Sequence, residues 1–491
     1  MQKKNLTVSG LIKKYALEQP KKIALIVGER AIDYSDLYKR ISSASHFLSK
    51  LGIKQGSHVL SVASPELDYI ICEYAVLGLG AVHIPAENRI PTERLEEVAK
   101  AVDAEFIISP NSPLQRSGNG CWCSLHDIDM ENEADYSWEP VEVTTECSEI
   151  IFTTGTTGKS KGVMLSSYCL YTYLGVMNQT FRLNKNSVFL VTTPLNHVGG
   201  LHRIHQCMAA GCTVVLLDGI RNLKAFFKAI NMYGVTHTYL PPASVKMLLT
   251  LAKNELAKLN GKLQFIYTAS APFPSSDIET LIKLLPDTRL HQGYGSSETG
   301  SICNCCYNAK GESINSLGKP YSCVEVKLLD ADGNVINEPY KEGLICSKST
   351  MNMIGYYKEP ELTASVLKNG FIYSKDLMYF DSDGALHFSG RGDDVINVRG
   401  FKVSPVEVVD VALRFPIIKD CACVPYDDKV LGRCLKMFVV IKEGYTFDVE
   451  KIIDFLETKL ESYKLPKYIE CIPEIPKTYN GKTDRNKLMS M

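Results

Sequence analysis

Two rhythms of apolar residues alternate along this chain. Residues 23–27 and 31–34 are short apolar runs parted by Gly28-Glu29, a pattern that predicts two strands joined by a turn. After Ser35 the apolar positions Leu37, Ile41, Ala44, Leu48 and Leu51 recur at helical spacing and lay one stripe on a helix. Ser35 would cap that helix and Gly52 would stop it. Further apolar runs at 58–63, 213–217 and 264–267 each have a helical pattern nearby. Strands and helices that alternate in this way imply an α/β fold with partly parallel sheets.

The pattern changes toward the C-terminus. Residues 324–329, followed by Ala331-Asp332-Gly333-Asn334, read as hairpin-rich β structure. Beyond Gly390-Arg391-Gly392-Asp393-Asp394, strands at 421–425 and 435–441 and a helix at 449–463 would form a small α+β unit. A chain of 491 residues is too long for one ordinary core. The expectation is a large N-terminal domain of layered sheets and helices over 1–390 and a small α+β C-terminal domain over 391–491.

Charge narrows the function. Lys and Arg number 54 against 55 Asp and Glu, so no overall field favours nucleic acid or an anionic membrane, and any polyanion site must be local. Lys13 and Lys14 cut short the apolar pair Leu11-Ile12, and no run of about 18 apolar residues could span a bilayer. The reading is a cytoplasmic protein with no membrane partner. The 16 cysteines are scattered, and Cys303, Cys305 and Cys306 form a lone CxxC with no second pair, which favours reduced thiols over zinc.

The strongest local chemistry lies in Thr153-Thr154-Gly155-Thr156-Thr157-Gly158-Lys159-Ser160-Lys161-Gly162. Packed Thr and Gly allow a tight turn whose N–H groups and hydroxyls surround phosphate oxygens, and Lys161 adds a point charge. Gly158-Lys159-Ser160 mimics the end of a Walker A loop, but that motif needs Gly where Thr153 stands.

This segment resembles the phosphate loop of the acyl-adenylate-forming superfamily, with Ser160 in place of the usual Pro. Four further segments match in the same order. His291-Gln292-Gly293-Tyr294-Gly295-Ser296-Ser297-Glu298-Thr299 resembles the adenine and magnesium motif. The resemblance implies that Tyr294 and Gly295 lie against adenine, Ser297 touches phosphate and Glu298 binds Mg²⁺. Tyr373-Ser374-Lys375-Asp376 resembles the ribose segment, with Asp376 as acceptor and Lys375 where Gly is usual. Arg391 would contact the nucleotide, Asp393 would be the hinge of a mobile C-terminal domain, and Gly400 would line the pantetheine path. Lys482, within Asn480-Gly481-Lys482-Thr483-Asp484-Arg485, matches the catalytic lysine.

The carboxylate end rests on two segments. Pro194-Leu195-Asn196-His197-Val198-Gly199-Gly200 resembles the stretch whose His borders the acyl pocket, and Ser270 and Ala271 resemble the small-residue loop beside adenine and acyl chain. No Asp occurs in 194–207, against an α-amino acid substrate. His202, Arg203 and His205 would either bind a second polar group of the substrate or face solvent. The implied activity is ATP-dependent activation of a small carboxylic acid to acyl-AMP, then thioester formation with coenzyme A. The alternative is a stand-alone adenylation enzyme loading the phosphopantetheine of a separate carrier protein, since 480–485 is worded like peptide-synthetase endings. A non-enzymatic nucleotide-binding protein is the third reading.

Overall fold

The computed structural model describes residues 6–110, 115–117, 120–128, 130, 138–154, 160–392, 396–398, 401–428, 432–478 and 482–491. Two eight-stranded sheets dominate the large N-terminal domain. In one, Ile23–Val27, Thr213–Leu216, Val188–Val191, His237–Tyr239, Phe265–Thr268 and Arg289–Ser296 run parallel in that spatial order. Antiparallel edges close it at Arg30–Asp33 and Gly300–Cys306. The interior strands are covered on both faces, so they read as unbroken apolar runs such as Thr213–Leu216, which is buried throughout. The second sheet has His58–Val62, Val82–Ala86 and Cys147–Thr154 at its centre, with Ser160–Ser166 and Gly355–Tyr356 beyond.

The helix after the first hairpin spans Tyr34–Leu51 and buries Leu37, Ile41, Ala44 and Leu48, the stripe expected from the sequence. Its cap is Asp33 rather than Ser35. Asp33 keeps an extended backbone as the last strand residue, and its carboxylate accepts the N–H of Asp36 at 2.8 Å. The strand expected at 31–34 is accordingly Arg30–Asp33. Gly52 ends the helix at φ 107°, a left-handed turn that glycine adopts without a Cβ penalty.

A five-stranded antiparallel sheet follows, with Gly343–Lys348 and Phe371–Phe380 at its centre and Leu386–Arg391 against the latter. The smaller C-terminal domain has the strands Ile418–Asp428, Gly432–Ile441 and Tyr468–Cys471. The Pro405–Ala412 and Val449–Glu457 helices share its apolar core through Val408, Ala412, Ile452 and Leu456. The expected 449–463 helix stops at Glu457, because Thr458 and Lys459 turn their N–H groups to carbonyls three residues back.

Asp410 forms a clasp between the two parts. The carboxylate of Asp410 accepts the N–H of Ser275 at 3.0 Å and its hydroxyl at 3.1 Å, at the N-terminus of the Ser275–Leu284 helix. A carboxylate there also meets the positive end of the helix dipole. All 16 cysteines are free, and Cys303 and Cys305 pack into different apolar clusters. Most are buried; Cys323 in the large domain and Cys471 in the small one are exposed. Among the described residues no helix is long and apolar enough to cross a membrane.

Candidate active site

The phosphate segment leaves the second sheet as a hairpin. Cys147–Thr154 pairs antiparallel with Ser160–Ser166, setting Thr153 opposite Lys161 and Thr154 opposite Ser160. Gly155, Thr156, Thr157 and Gly158 lie outside the described residues, as does the side chain of Thr154. Lys161 aims its ammonium over the Tyr356 ring, 5.3 Å from its centre. The Tyr356 hydroxyl donates to Glu298 Oε1 at 2.9 Å. The same tyrosine therefore touches both the phosphate segment and the expected magnesium carboxylate. Burial, then the Glu298 charge, pushes the Tyr356 hydroxyl well up, so it remains a donor.

Glu298 stands in the turn between Arg289–Ser296 and Gly300–Cys306. Its backbone is pinned twice: its N–H goes to Ser296 Oγ at 3.2 Å and its carbonyl accepts the N–H of Met353 at 2.7 Å. Ser297 shares that turn. Gly295 is required by packing, because a Cβ there would lie 2.0 Å from the Gly300 carbonyl oxygen.

The expected ribose side is built across two strands. Asp376 and Arg391 are register partners on Phe371–Phe380 and Leu386–Arg391, with Arg391 Nε 3.6 Å from Asp376 Oδ1. Tyr294 donates its hydroxyl to Asp376 Oδ2 at 2.7 Å, a contact the sequence reading did not include. Burial, then the Asp376 charge, holds the Tyr294 hydroxyl well above its ordinary value. Lys375 replaces the usual Gly at no backbone cost, since it continues the Phe371–Phe380 strand and is absent from the positive-φ positions.

Lys482 comes from the other end of the chain. Its carbonyl accepts the N–H of Thr478 at 2.7 Å, and Lys477 bridges to Thr483, so pairing with the preceding segment holds its backbone. The residue keeps exposed surface, yet its ammonium is shifted below the ordinary lysine value. Crowding by protein is the main cause and the Arg391 guanidinium adds to it, while Asp376 and Glu298 pull the other way. Lys482 thus shares one electrostatic neighbourhood with three of the sequence-predicted residues. Asp393 and Gly400 lie outside the described residues.

At the acyl end His197 precedes the Val198–Ala210 helix, and its carbonyl accepts from Gly200 and Leu201, both at 3.0 Å. Ser270 leaves the Phe265–Thr268 strand at φ 75° and accepts the Tyr239 hydroxyl at 3.2 Å; Ala271 follows it, half-buried. A left-handed backbone at a residue with a Cβ costs about 1–3 kcal/mol and clusters at functional sites. The solvent-facing alternative for His202, Arg203 and His205 is overturned, because all three are buried. Their helix is enclosed from Gly200 to Met208, and carboxylates buried in neighbouring elements face the histidines. Glu149 accepts from His202 Nε2 and His205 Nε2, both at 2.9 Å, and Glu73 lies 3.3 Å from His205. Burial would raise Glu149, but the two histidines hold it well below the usual carboxylate range. Glu73 is pushed up to about 8 by burial, with Glu149 adding to the rise and His205 opposing it.

Layered sheets, a small C-terminal domain and nucleotide-binding motifs gathered between them define an adenylating enzyme. Residues 12–357 match the AMP-binding enzyme family and residues 407–482 its C-terminal domain. The chain belongs to this family, the acyl-adenylate-forming superfamily that its motifs resemble. It is 26% identical over 489 residues to a 2-succinylbenzoate–CoA ligase of Bacillus mycoides (strain KBAB4), which covers 99% of each chain. Two solved structures share the fold. The ATP-bound MatB of Rhodopseudomonas palustris superposes with a TM-score of 0.89 at 21% identity over 99% of both chains. The amide bond synthetase McbA of Marinactinospora thermotolerans gives 0.87 at 23% identity, over 98% of this chain and 99% of that one.

Proposed function

We propose that this enzyme activates a small carboxylic acid with ATP and transfers the acyl group to coenzyme A. The observation that carries the reading is the gathering of Glu298, Asp376 and Arg391 around the Lys482 ammonium. In the first step a carboxylate oxygen bonds to the α-phosphorus while the bond to pyrophosphate breaks. Both reactants are anions, so the site must hold cations in advance. Lys161, the 153–158 loop and Lys482 would stabilise charge building on the phosphoryl oxygens, Asp376 would hold the ribose, and Arg391 the nucleotide. Tyr294 and Gly295 would border adenine, and Ser297 a phosphate. Mg²⁺ is a hard cation that takes a few carboxylates plus phosphate oxygens, and Glu298 beside Lys161 fits it.

In the second step the thiol sulfur bonds to the acyl carbon, AMP leaves and the thiol loses its proton. The small domain, beginning near residue 391, would turn about Asp393 to admit the pantetheine arm past Gly400. His197, Ser270 and Ala271 would border the acyl group. The free thiols and the lack of a membrane-crossing helix among the described residues support action in the cytoplasm.

Pyrophosphate exchange across aliphatic, aromatic and dicarboxylic acids, followed by thioester assay with coenzyme A and with a phosphopantetheinyl carrier, tests this reading. Acid-dependent exchange with transfer to coenzyme A is the expected result. Transfer to the carrier alone would replace coenzyme A as acceptor, and no exchange with any acid would remove the reading.

A further inference from the structure

A buried cation stands behind the acyl end of this site without an anion to match it. Arg203 is 3% exposed, on the buried Val198–Ala210 helix. Its guanidinium lies 5.2 to 6.0 Å from the centres of four rings, those of Tyr173, Phe181, Tyr239 and Tyr267. Nη1 donates to Gln206 Oε1 at 2.7 Å and Nη2 to the Tyr173 hydroxyl. Nε is buried and makes no hydrogen bond. Among the described residues no carboxylate pairs with it, since Glu149 and Glu73 face His202 and His205.

An arginine offers five N–H donors, and a buried charge costs several kcal/mol when left unpaired. Aromatic faces recover part of that cost but accept no hydrogen bond of full strength. The location is as telling as the missing charge. Tyr239 reaches Ser270 with its hydroxyl, and a Cβ on Gly199 would sit 3.1 Å from its ring. Tyr267 presses its hydroxyl against the Cα of Gly293, where a Cβ would lie at 1.5 Å. Two of the four rings around Arg203 therefore touch the adenine-side segments and the start of the acyl-side helix.

We infer that Arg203 is a specificity-determining residue that receives a second carboxylate on the substrate, remote from the one that attacks ATP. The inference rests on the acid-activating reading above and narrows it to dicarboxylic acids. A second anion would supply acceptors for the spare N–H groups and the counter-charge the helix lacks. A neutral end would leave the cation as it stands and gain nothing from it.

Pyrophosphate exchange with dicarboxylic acids of graded length and with their monomethyl esters tests this in the full chain. For the best length the wild type should prefer diacid over ester by about 10²-fold in kcat/KM, the scale of a desolvated charge contact. Arg203→Gln should bring the diacid down to the level of its ester, and Arg203→Lys should keep part of the preference. The diacid-to-ester ratio within one variant cancels any loss of folded protein, so a merely structural role would leave it unchanged. Wild-type exchange that favours no diacid at any length, or an Arg203→Gln ratio equal to the wild type's, overturns the inference while acid activation stands. If Arg203→Gln does not fold, the wild-type ratio decides. Silence with every acid would instead defeat the acid-activating reading itself.

Discussion

An exposed lysine ordinarily keeps the usual ammonium pKa, and Lys482, though exposed, does not. Its ammonium is held below the ordinary value by crowding and by Arg391, while the Asp376 and Glu298 carboxylates oppose that shift. Loss of one such donor typically lowers the rate by about 10²–10³-fold. Lys482→Ala is expected to lose pyrophosphate exchange by that factor with ATP affinity little changed, as titration calorimetry would report. An equal loss of binding would remove Lys482 from the chemistry. Tyr356 acts differently, by orienting Glu298 through one charged hydrogen bond. Such bonds contribute about 1.5–3 kcal/mol. Tyr356→Phe should therefore raise the KM for magnesium-ATP by about tenfold and leave kcat nearer the wild type; an unchanged KM would show that water replaces the hydroxyl. Glu298, Asp376 and Lys482 could be nominated from the sequence because each carries its own chemistry inside a recognisable frame. Tyr356 was not, since its role comes from pairing a two-residue strand with Ser160–Ser166, which no local pattern encodes.

Among the elements, the Val198–Ala210 helix shows where pattern reading runs out. Its polar residues left a solvent face open, yet Glu149 from a strand accepts from both its histidines inside the core, and Glu73 from the Leu67–Gly78 helix lies beside His205. Strand and helix cores elsewhere were readable because apolar side chains repeat at the element's own period; a buried polar contact between distant segments has no period. His83 Nε2, bonded to Ser61 Oγ at 2.9 Å, and Tyr74, 3.1 Å from His205 Nδ1, complete the group. This cluster makes stability depend on pH in a definite direction. Glu73 keeps its proton to about pH 8 in the fold but loses it near 4.5 when unfolded. The unfolded chain therefore binds fewer protons in that window, and Glu73 erodes stability as pH rises from about 4.5 to 8. Glu149, shifted down, works oppositely and loses its contribution only as pH falls below the usual carboxylate value. In melting curves Glu73→Gln should gain on the wild type between pH 5 and 8 and run parallel to it above. A constant difference across that range would contradict the burial of an ionisable Glu73.

At the scale of the whole molecule the proposed chemistry needs the segment carrying Lys482 at the large domain, and the Asp410 contact restrains the small domain there. Its bonds to Ser275 hold the Pro405–Ala412 helix against the N-terminus of another helix. If the small domain turns between the two steps as proposed, Asp410→Ala should lower pyrophosphate exchange several-fold while sparing thioester formation from supplied acyl-adenylate. Equal loss in both assays would make the contact merely structural. A large N-terminal and a smaller C-terminal domain were legible as a change of pattern along the chain, whereas the clasp depends on residues 135 positions apart.

The uneven exposure of the thiols has a practical outcome. Maleimide dyes would react first at Cys323 and Cys471, one on each side of the division, with no engineered site. Energy transfer between such dyes would follow the small domain through a turnover, and the efficiency should step when coenzyme A meets the adenylate. A trace that stays flat through both half-reactions would mean that a single arrangement serves the entire cycle.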